Sequence, residues 1–168
     1  MLVSFENLPD TARVWVYTAS RFLSKEEMKL VSESLSHFME TWQSHGKELR
    51  ASFQLFENRF VIIAADEQYN ELSGCGIDKS LHVLQLLEQE LGISFTDKSI
   101  VIFEKDGKPL PLVFNKIKQA IEQDIVNVDT FFYNTLVSNK GEFQTHFKLK
   151  VSDGWVKKFL PTTIFIKD

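Results

Sequence analysis

The chain has 168 residues, 43% of them hydrophobic, and 19 basic against 23 acidic side chains give a net charge of −4. That length suits a single domain with one core of useful size, and the acidic balance argues against general nucleic-acid binding and gives no attraction to anionic membranes. The single cysteine, Cys75, excludes an internal disulfide, and one composition figure stands out, with 15 residues being Phe.

The opening residues, Met1-Leu2-Val3-Ser4-Phe5-Glu6, lack the basic stretch and apolar stretch of a secretory signal, so none is expected, and the expected setting is the cytoplasm. Ala12 to Ala19 carries Val14-Trp15-Val16-Tyr17, apolar on both alternating faces, which predicts a strand covered on both sides. Ser24-Lys25-Glu26-Glu27 has the form of a capping box, and Met28, Val31, Leu35, Phe38, Met39 and Trp42 follow at helical spacing. The spacing predicts a helix over 25–45 that ends near Gly46. Leu49, Ala51, Phe53 and Leu55 alternate with Arg50, Ser52 and Gln54, the pattern of an edge strand with one wet face. After a short turn at Glu57-Asn58, Phe60 to Ala65 is apolar on both faces and reads as a central strand. This is also the longest apolar run, far below the ~20 residues of a membrane helix. A polar loop from Asp66 to Gly76 leads into a second helix with the stripe Ile77, Leu81, Leu84, Leu87 and Leu91, ended by Gly92. Ile100-Val101-Ile102-Phe103 is a fourth strand, closed by a turn at Asp106-Gly107.

Strand, helix, strand, strand, helix, strand is the order of a ferredoxin-like βαββαβ core, an α+β fold with both helices on one face of an antiparallel sheet. The expectation is a single domain over 1–168, with this core at about 10–105 and an aromatic-rich C-terminal extension at about 106–168. The second face of the sheet is apolar as well: either Trp15 and Tyr17 or Val14 and Val16 must point there, with one set from Val61, Ile63 and Ala65. The C-terminal third or a second copy in a homodimer would have to cover it.

In that third, Pro109 and Pro111 precede Phe114, Ile117, Ile121 and Ile125, whose spacing predicts a helix over 112–125. Phe143, Thr145, Phe147, Leu149 and Val151 alternate with polar residues and favour a strand, while Leu136, Lys140, Phe143 and Phe147 also fit a helix. Ser152 can cap a short helix carrying Trp155, Val156, Phe159 and Leu160, stopped by Pro161. Phe131, Phe132, Phe143, Phe147, Phe159 and Phe165 all fall here. These aromatics, with Tyr133 and Trp155, either cover the sheet or line a ligand pocket or partner groove.

Chemistry concentrates in one stretch. A strand ends in Asp66-Glu67, and a loop then delivers Ser73, Gly74, Cys75 and Gly76 to the start of a helix, with Lys79 and Ser80 one turn on. Unpaired amides and the helix dipole favour an anion there, and the same location favours a thiolate, which makes Cys75 the candidate nucleophile. The plainer reading is a glycine-rich turn with Ser73 as cap and a small buried cysteine. Phe60 to Glu67 resembles a Walker B strand, Leu72-Ser73-Gly74 the start of an ABC signature, and Ser73 to Ser80 a Walker A loop. Counting back from Lys79, however, the two glycine positions of G-x-x-x-x-G-K-[ST] hold Asp78 and Ser73. Leu8-Pro9-Asp10-x-Ala12-Arg13-Val14-Trp15, Ser73 to Ser80 and Trp155 to Leu160 together resemble a family of small uncharacterised bacterial proteins, some labelled ABC transporter ATPase. The resemblance spans nearly the whole chain and brings no assigned catalytic residues.

His37 and His82 project on polar helix faces, Asp78 and His82 are four apart, and Asp66, Asp78 and His82 have no spacing diagnostic of a metal. There is no G-x-S-x-G. The sequence calls for no cofactor and no metal. The function expected is a non-enzymatic binding or interaction module for a small anionic ligand at Ser73–Ser80 or for a protein partner. The alternatives are an enzyme using Cys75 as a reactive thiol and, more remotely, a nucleotide-binding ATPase-like protein.

Overall fold

The structure, a computed structural model, describes residues 1–162. In chain order its elements are β1 (Arg13–Thr18), α1 (Lys25–Thr41), β2 (Gln43–Ser44), β3 (Lys47–Glu48), β4 (Ala51–Phe56), β5 (Phe60–Ala65), α2 (Gly74–Leu91), β6 (Ile100–Lys105), β7 (Lys108–Val113), α3 (Ile117–Glu122), β8 (Phe131–Tyr133), α4 (Lys140–His146) and β9 (Lys148–Lys150). Among the described residues this is an α+β structure with antiparallel sheets and four α-helices. None of those helices is long and apolar enough to cross a membrane. The chain forms two compact units, Met1–Asp97 with Thr135–Thr145, and Lys98–Asn134 with the segment from His146 onward.

The first unit is built on a three-stranded sheet in the order β1-β5-β4. β5 runs antiparallel to both neighbours, with Ile63 opposite Trp15 on one side and Phe53 on the other. All six β5 residues are buried, as its two apolar faces predict. Tyr17, Ala51, Val61, Ile63 and Ala65 share one core with Val31, Leu35 and Met39 of α1 and Leu84 and Leu87 of α2, so both helices cover the same face. Val14, Val16, Phe60, Ile62 and Ala64, which alternate with that set, are buried too. β4 is at the edge as expected, although Ser52, on its supposedly wet face, is buried. Leu2 bridges Ala51 in parallel along part of that edge.

α1 starts at the capping box: the Glu27 amide donates to Ser24 Oγ, and the Ser24 amide to the Glu27 carboxylate. The Arg21 guanidinium, and then the Ser24 amide, hold the Glu27 carboxyl down to about 2. The helix stops at Thr41 instead of near residue 45. Trp42 turns out extended, and β2 and β3 form a small hairpin through His45 and Gly46, both left-handed at φ 51 and 75. Trp42 therefore belongs to a hairpin stem, where the Leu49 amide donates to its carbonyl at 3.0 Å.

α2 ends at Gly92, left-handed at φ 63. Four donors in the next loop converge on Glu88 Oε1: the Phe95 amide (2.6 Å), the Thr96 hydroxyl (2.7 Å), the Thr96 amide (2.8 Å) and the Ser94 hydroxyl (3.3 Å). Burial raises this carboxyl, and the bonds from Thr96, Phe95 and Ser94 outweigh it, so Glu88 lies below its ordinary value. The start and the return segment of the unit are held by Lys140. Its buried ammonium donates to Leu8 O (2.6 Å) and Glu6 O (3.0 Å), while the Val14 amide donates to Ser138 O.

The second unit holds a sheet in the order β7-β6-β8-β9. The fourth strand of the expected βαββαβ order is therefore laddered here and not in the sheet of β1, β4 and β5. Both edges of β6 are occupied: Asp106 and Gly107, at φ 53 and 71, make a two-residue hairpin turn that pairs one edge with β7, and β8 pairs the other through Phe103–Phe132 and Glu104–Phe131. The predicted helix over 112–125 shrinks accordingly. Its first residues continue β7, a 3₁₀ turn spans Phe114–Lys116, and only Ile117–Glu122 is α-helical. Pro109 and Pro111 pair with Glu104 and Ile102 at the positions where a backbone N–H would point away from β6, the placement an edge strand tolerates. Both patterns over 136–151 are realised in turn, as α4 and then β9. The short helix at Trp155–Phe159 is 3₁₀ and is capped by Gly154, not by Ser152.

Phe103, Phe132, Val151 and Val156 centre the core of this unit. Phe103 and Phe132 lie 6.0 Å apart, with the edge of Trp155 on Phe132 at 5.8 Å. Phe143 lies in the first unit, edge-on to Phe5 at 5.7 Å. Phe165 lies outside the described residues.

Two substitutions test this account. A Cβ at Gly154 would stand 2.6 Å from Phe132 Cε1, in a fully buried ring, so Gly154→Ala should cost ~1–3 kcal/mol or more in urea unfolding. Glu88→Gln should cost ~1–3 kcal/mol. Because the folded-state Glu88 value is depressed, wild type should lose this contribution as pH falls below the unfolded carboxyl value of ~4.3 and on through the Glu88 value, and the gap to Glu88→Gln should close there.

Candidate functional site

Ser73, Gly74, Cys75, Gly76, Lys79 and Ser80 all lie at the start of α2, but they do different work. Ser73 is the N-cap: its hydroxyl accepts from the Gly76 amide at 3.2 Å, and its carbonyl accepts from the Ile77 amide at 3.1 Å. Ser44, on β2, completes the cap. Its hydroxyl accepts from the Ser73 amide (2.9 Å) and donates to Ser73 Oγ (3.0 Å). Gly76 is needed for packing, because a Cβ there would stand 2.7 Å from Leu72 Cδ1 and 3.7 Å from Ser44 Cβ. Its carbonyl accepts from buried Trp42 Nε1 at 2.9 Å. The Ser80 hydroxyl is buried and donates to Ile77 O at 2.7 Å, turned into its own helix. Gly74 faces open space, and the amides of Gly74 and Cys75 remain as the uncommitted first-turn donors.

Cys75 is exposed, not the small buried cysteine of the plainer reading. Asp66 follows β5 directly and is 6% exposed. One of its oxygens accepts from the Gln68 amide at 3.1 Å, and the other lies 3.8 Å from Arg50 Nη1. It stabilises the turn after β5, and among the described residues no contact joins it to Ser73–Ser80. Nor do three His, Cys, Asp or Glu side chains gather there as a metal ligand set, so Asp66, Asp78 and His82 are not brought together as one.

Lys79 does face a cavity. A groove of about 490 Å³ runs beside the first turns of α2, lined by Phe38, Val83 and the buried Trp42 together with the polar Thr41, Gln43, Asp78, Lys79 and His82. The Phe38 and Trp42 rings are 5.0 Å apart. Sequence reasoning placed Phe38 and Trp42 in the helical core stripe and His82 on the solvated face. Their convergence depends on the early end of α1 and on the Trp42–Gly76 bond, which no spacing announces.

Comparison of the chain with protein-family models, with curated proteins and with solved structures returns no match.

The cap and the glycines predict a graded series. Ser73→Ala should lose about 1 kcal/mol of stability, whereas Gly74→Ala should be neutral or gain up to ~1 kcal/mol, since nothing opposes its methyl. In the native protein Cys75 should label fully with a thiol reagent without denaturant. Protection until unfolding would contradict its exposure.

Proposed function

We propose that the chain is a non-enzymatic binding module that holds a small ligand, an apolar ring carrying an anionic group, in the groove between α1 and α2. The observation that carries this reading is the groove itself, lined by the partly buried Phe38 ring and Val83 over the buried Trp42, with Lys79 and His82 among its polar residues. A ring would stack against Phe38, and the anion would meet the Lys79 ammonium. The β1-β5-β4 order with both helices on one face supports a ferredoxin-like ancestry for the first unit, and a reducing, cytoplasmic setting belongs to the same proposal.

A second reading takes Cys75 as a reactive thiol, favoured by its exposure on the first turn of α2. Alkylation at pH 7 far faster than that of free cysteine would support it, and a rate equal to free cysteine would remove it.

Titration with an aryl carboxylate and with its neutral amide, read by ¹H–¹⁵N NMR, tests the first reading. The carboxylate should shift the Trp42 indole resonance and the amides around Lys79 and His82, the neutral amide should bind more weakly, and Lys79→Gln should weaken carboxylate binding about tenfold. Shifts elsewhere, or no preference for the anion, would count against it. A melting-temperature rise of several degrees with millimolar MgATP would instead favour nucleotide binding.

A further inference from the structure

Three charged side chains are buried among the described residues: Asp66, Lys140 and Arg59. Asp66 has the Gln68 amide and Arg50, and Lys140 has two carbonyls and Asp10 at 3.9 Å. Arg59, 6% exposed, has no comparable compensation. Its Nε is enclosed without a hydrogen-bond partner, and among the described residues no acidic side chain pairs with its guanidinium. What does stand against it is the Phe22 ring, 4.7 Å from the guanidinium carbon, and Phe22 is itself 51% exposed. A cation–π contact offsets only a fraction of what desolvating an unpaired cation costs. Burial accordingly pushes the Arg59 guanidinium below its ordinary value. The local backbone matches this. The Arg59 amide closes the Glu57-Asn58 turn onto Phe56 O, and the β4–β5 ladder then pairs Phe56 with Phe60, leaving Arg59 outside it. Ladder irregularities of this kind re-aim a side chain.

We propose that Arg59 is an anion-binding residue, and that a small molecule's carboxylate or phosphate group docks on its guanidinium fork beneath Phe22. The planar fork offers Nε and a terminal nitrogen side by side, the arrangement that takes a carboxylate or phosphate in a bidentate grip. The Phe22 ring, 51% exposed, would then lie over the bound anion's site. This site is separate from the α1–α2 groove, which Arg59 does not line.

The test is a titration of ¹⁵N-labelled protein with inorganic phosphate and, separately, with acetate at constant ionic strength, read at the Arg59 Nε–Hε resonance and the amides of residues 20–23. A saturable shift with either anion is expected, and the anion that gives it identifies the ligand group. The shift should vanish in Arg59→Met, which should melt at or above the wild-type temperature because the uncompensated charge is gone. Phe22→Ala should change the apparent Kd by at least about threefold. No saturable shift below about 50 mM of either anion, an equal titration in Arg59→Met, or an unchanged Kd in Phe22→Ala would overturn the proposal. Should Arg59→Met fail to fold, Arg59→Lys gives the same comparison: it keeps the charge without the fork, so binding must weaken, and undiminished binding overturns the bidentate site.

Discussion

The first unit depends on the pairing of β5. This six-residue strand is hydrogen-bonded along both edges and buried on both faces, so every backbone group and every side chain on it is already committed. A one-residue slip would turn Val61, Ile63 and Ala65 away from the helices and present Phe60, Ile62 and Ala64 in their place. The Glu57-Asn58 turn, with both residues left-handed at φ 50 and 53, fixes the register against β4. Two of the three buried charges flank this strand, Arg59 before it and Asp66 after it. A strand so fully occupied has no room for polar groups along its length, and they collect at its ends.

How far the sequence reveals this architecture depends on the range of the deciding interaction. The α1 start, β5, the body of α2 and its Gly92 stop were legible, as was β1 as a strand, though its two apolar faces suggested a central place and it is an outer strand of the β1-β5-β4 sheet; capping chemistry and side-chain periodicity act within a few residues. The end of α1 was not, since Trp42 continues the helical spacing while its indole is drawn to Gly76, 34 positions away. The sheet that Ile100–Lys105 joins was not legible either. Its turn could be read, but Pro109 and Pro111 look equally like the start of a helix and like an outer strand, and only the pairing decides. The alternation over 143–151 was ambiguous because the chain uses both periods in succession, α4 and then β9.

The same distinction governs the candidate site. The residues at 73–80 were read chiefly as one anion-binding group, with Cys75 as candidate nucleophile and Ser73 as cap in the plainer reading, and in the structure they do different work. Ser73 caps, Gly76 packs, Ser80 bonds within its own helix, and Lys79 faces the groove. The partner that fixes Ser73 is Ser44, a residue with no distinctive pattern around it, brought up by the β2–β3 hairpin. Lys140, a charged residue at the helical spacing of Leu136, Phe143 and Phe147, proves to be a buried anchor for Leu8, a contact across 132 positions. In both cases a polar side chain is fixed by a partner distant in sequence, which local spacing does not reveal.

The placement of Pro109 and Pro111 has a consequence for solutions of many copies. Strand β7 is one of the two outer strands of the second sheet among the described residues, and an outer strand ordinarily offers an incoming chain a ready row of donors and acceptors. Here two of the outward donors are missing, replaced by rings that also crowd any neighbour. A stranger's strand that aligned with β7 would leave its own carbonyls facing proline carbon. Along β7 the edge is thereby poorly suited to templated growth, and this strand can stay extended and partly apolar without recruiting a neighbour.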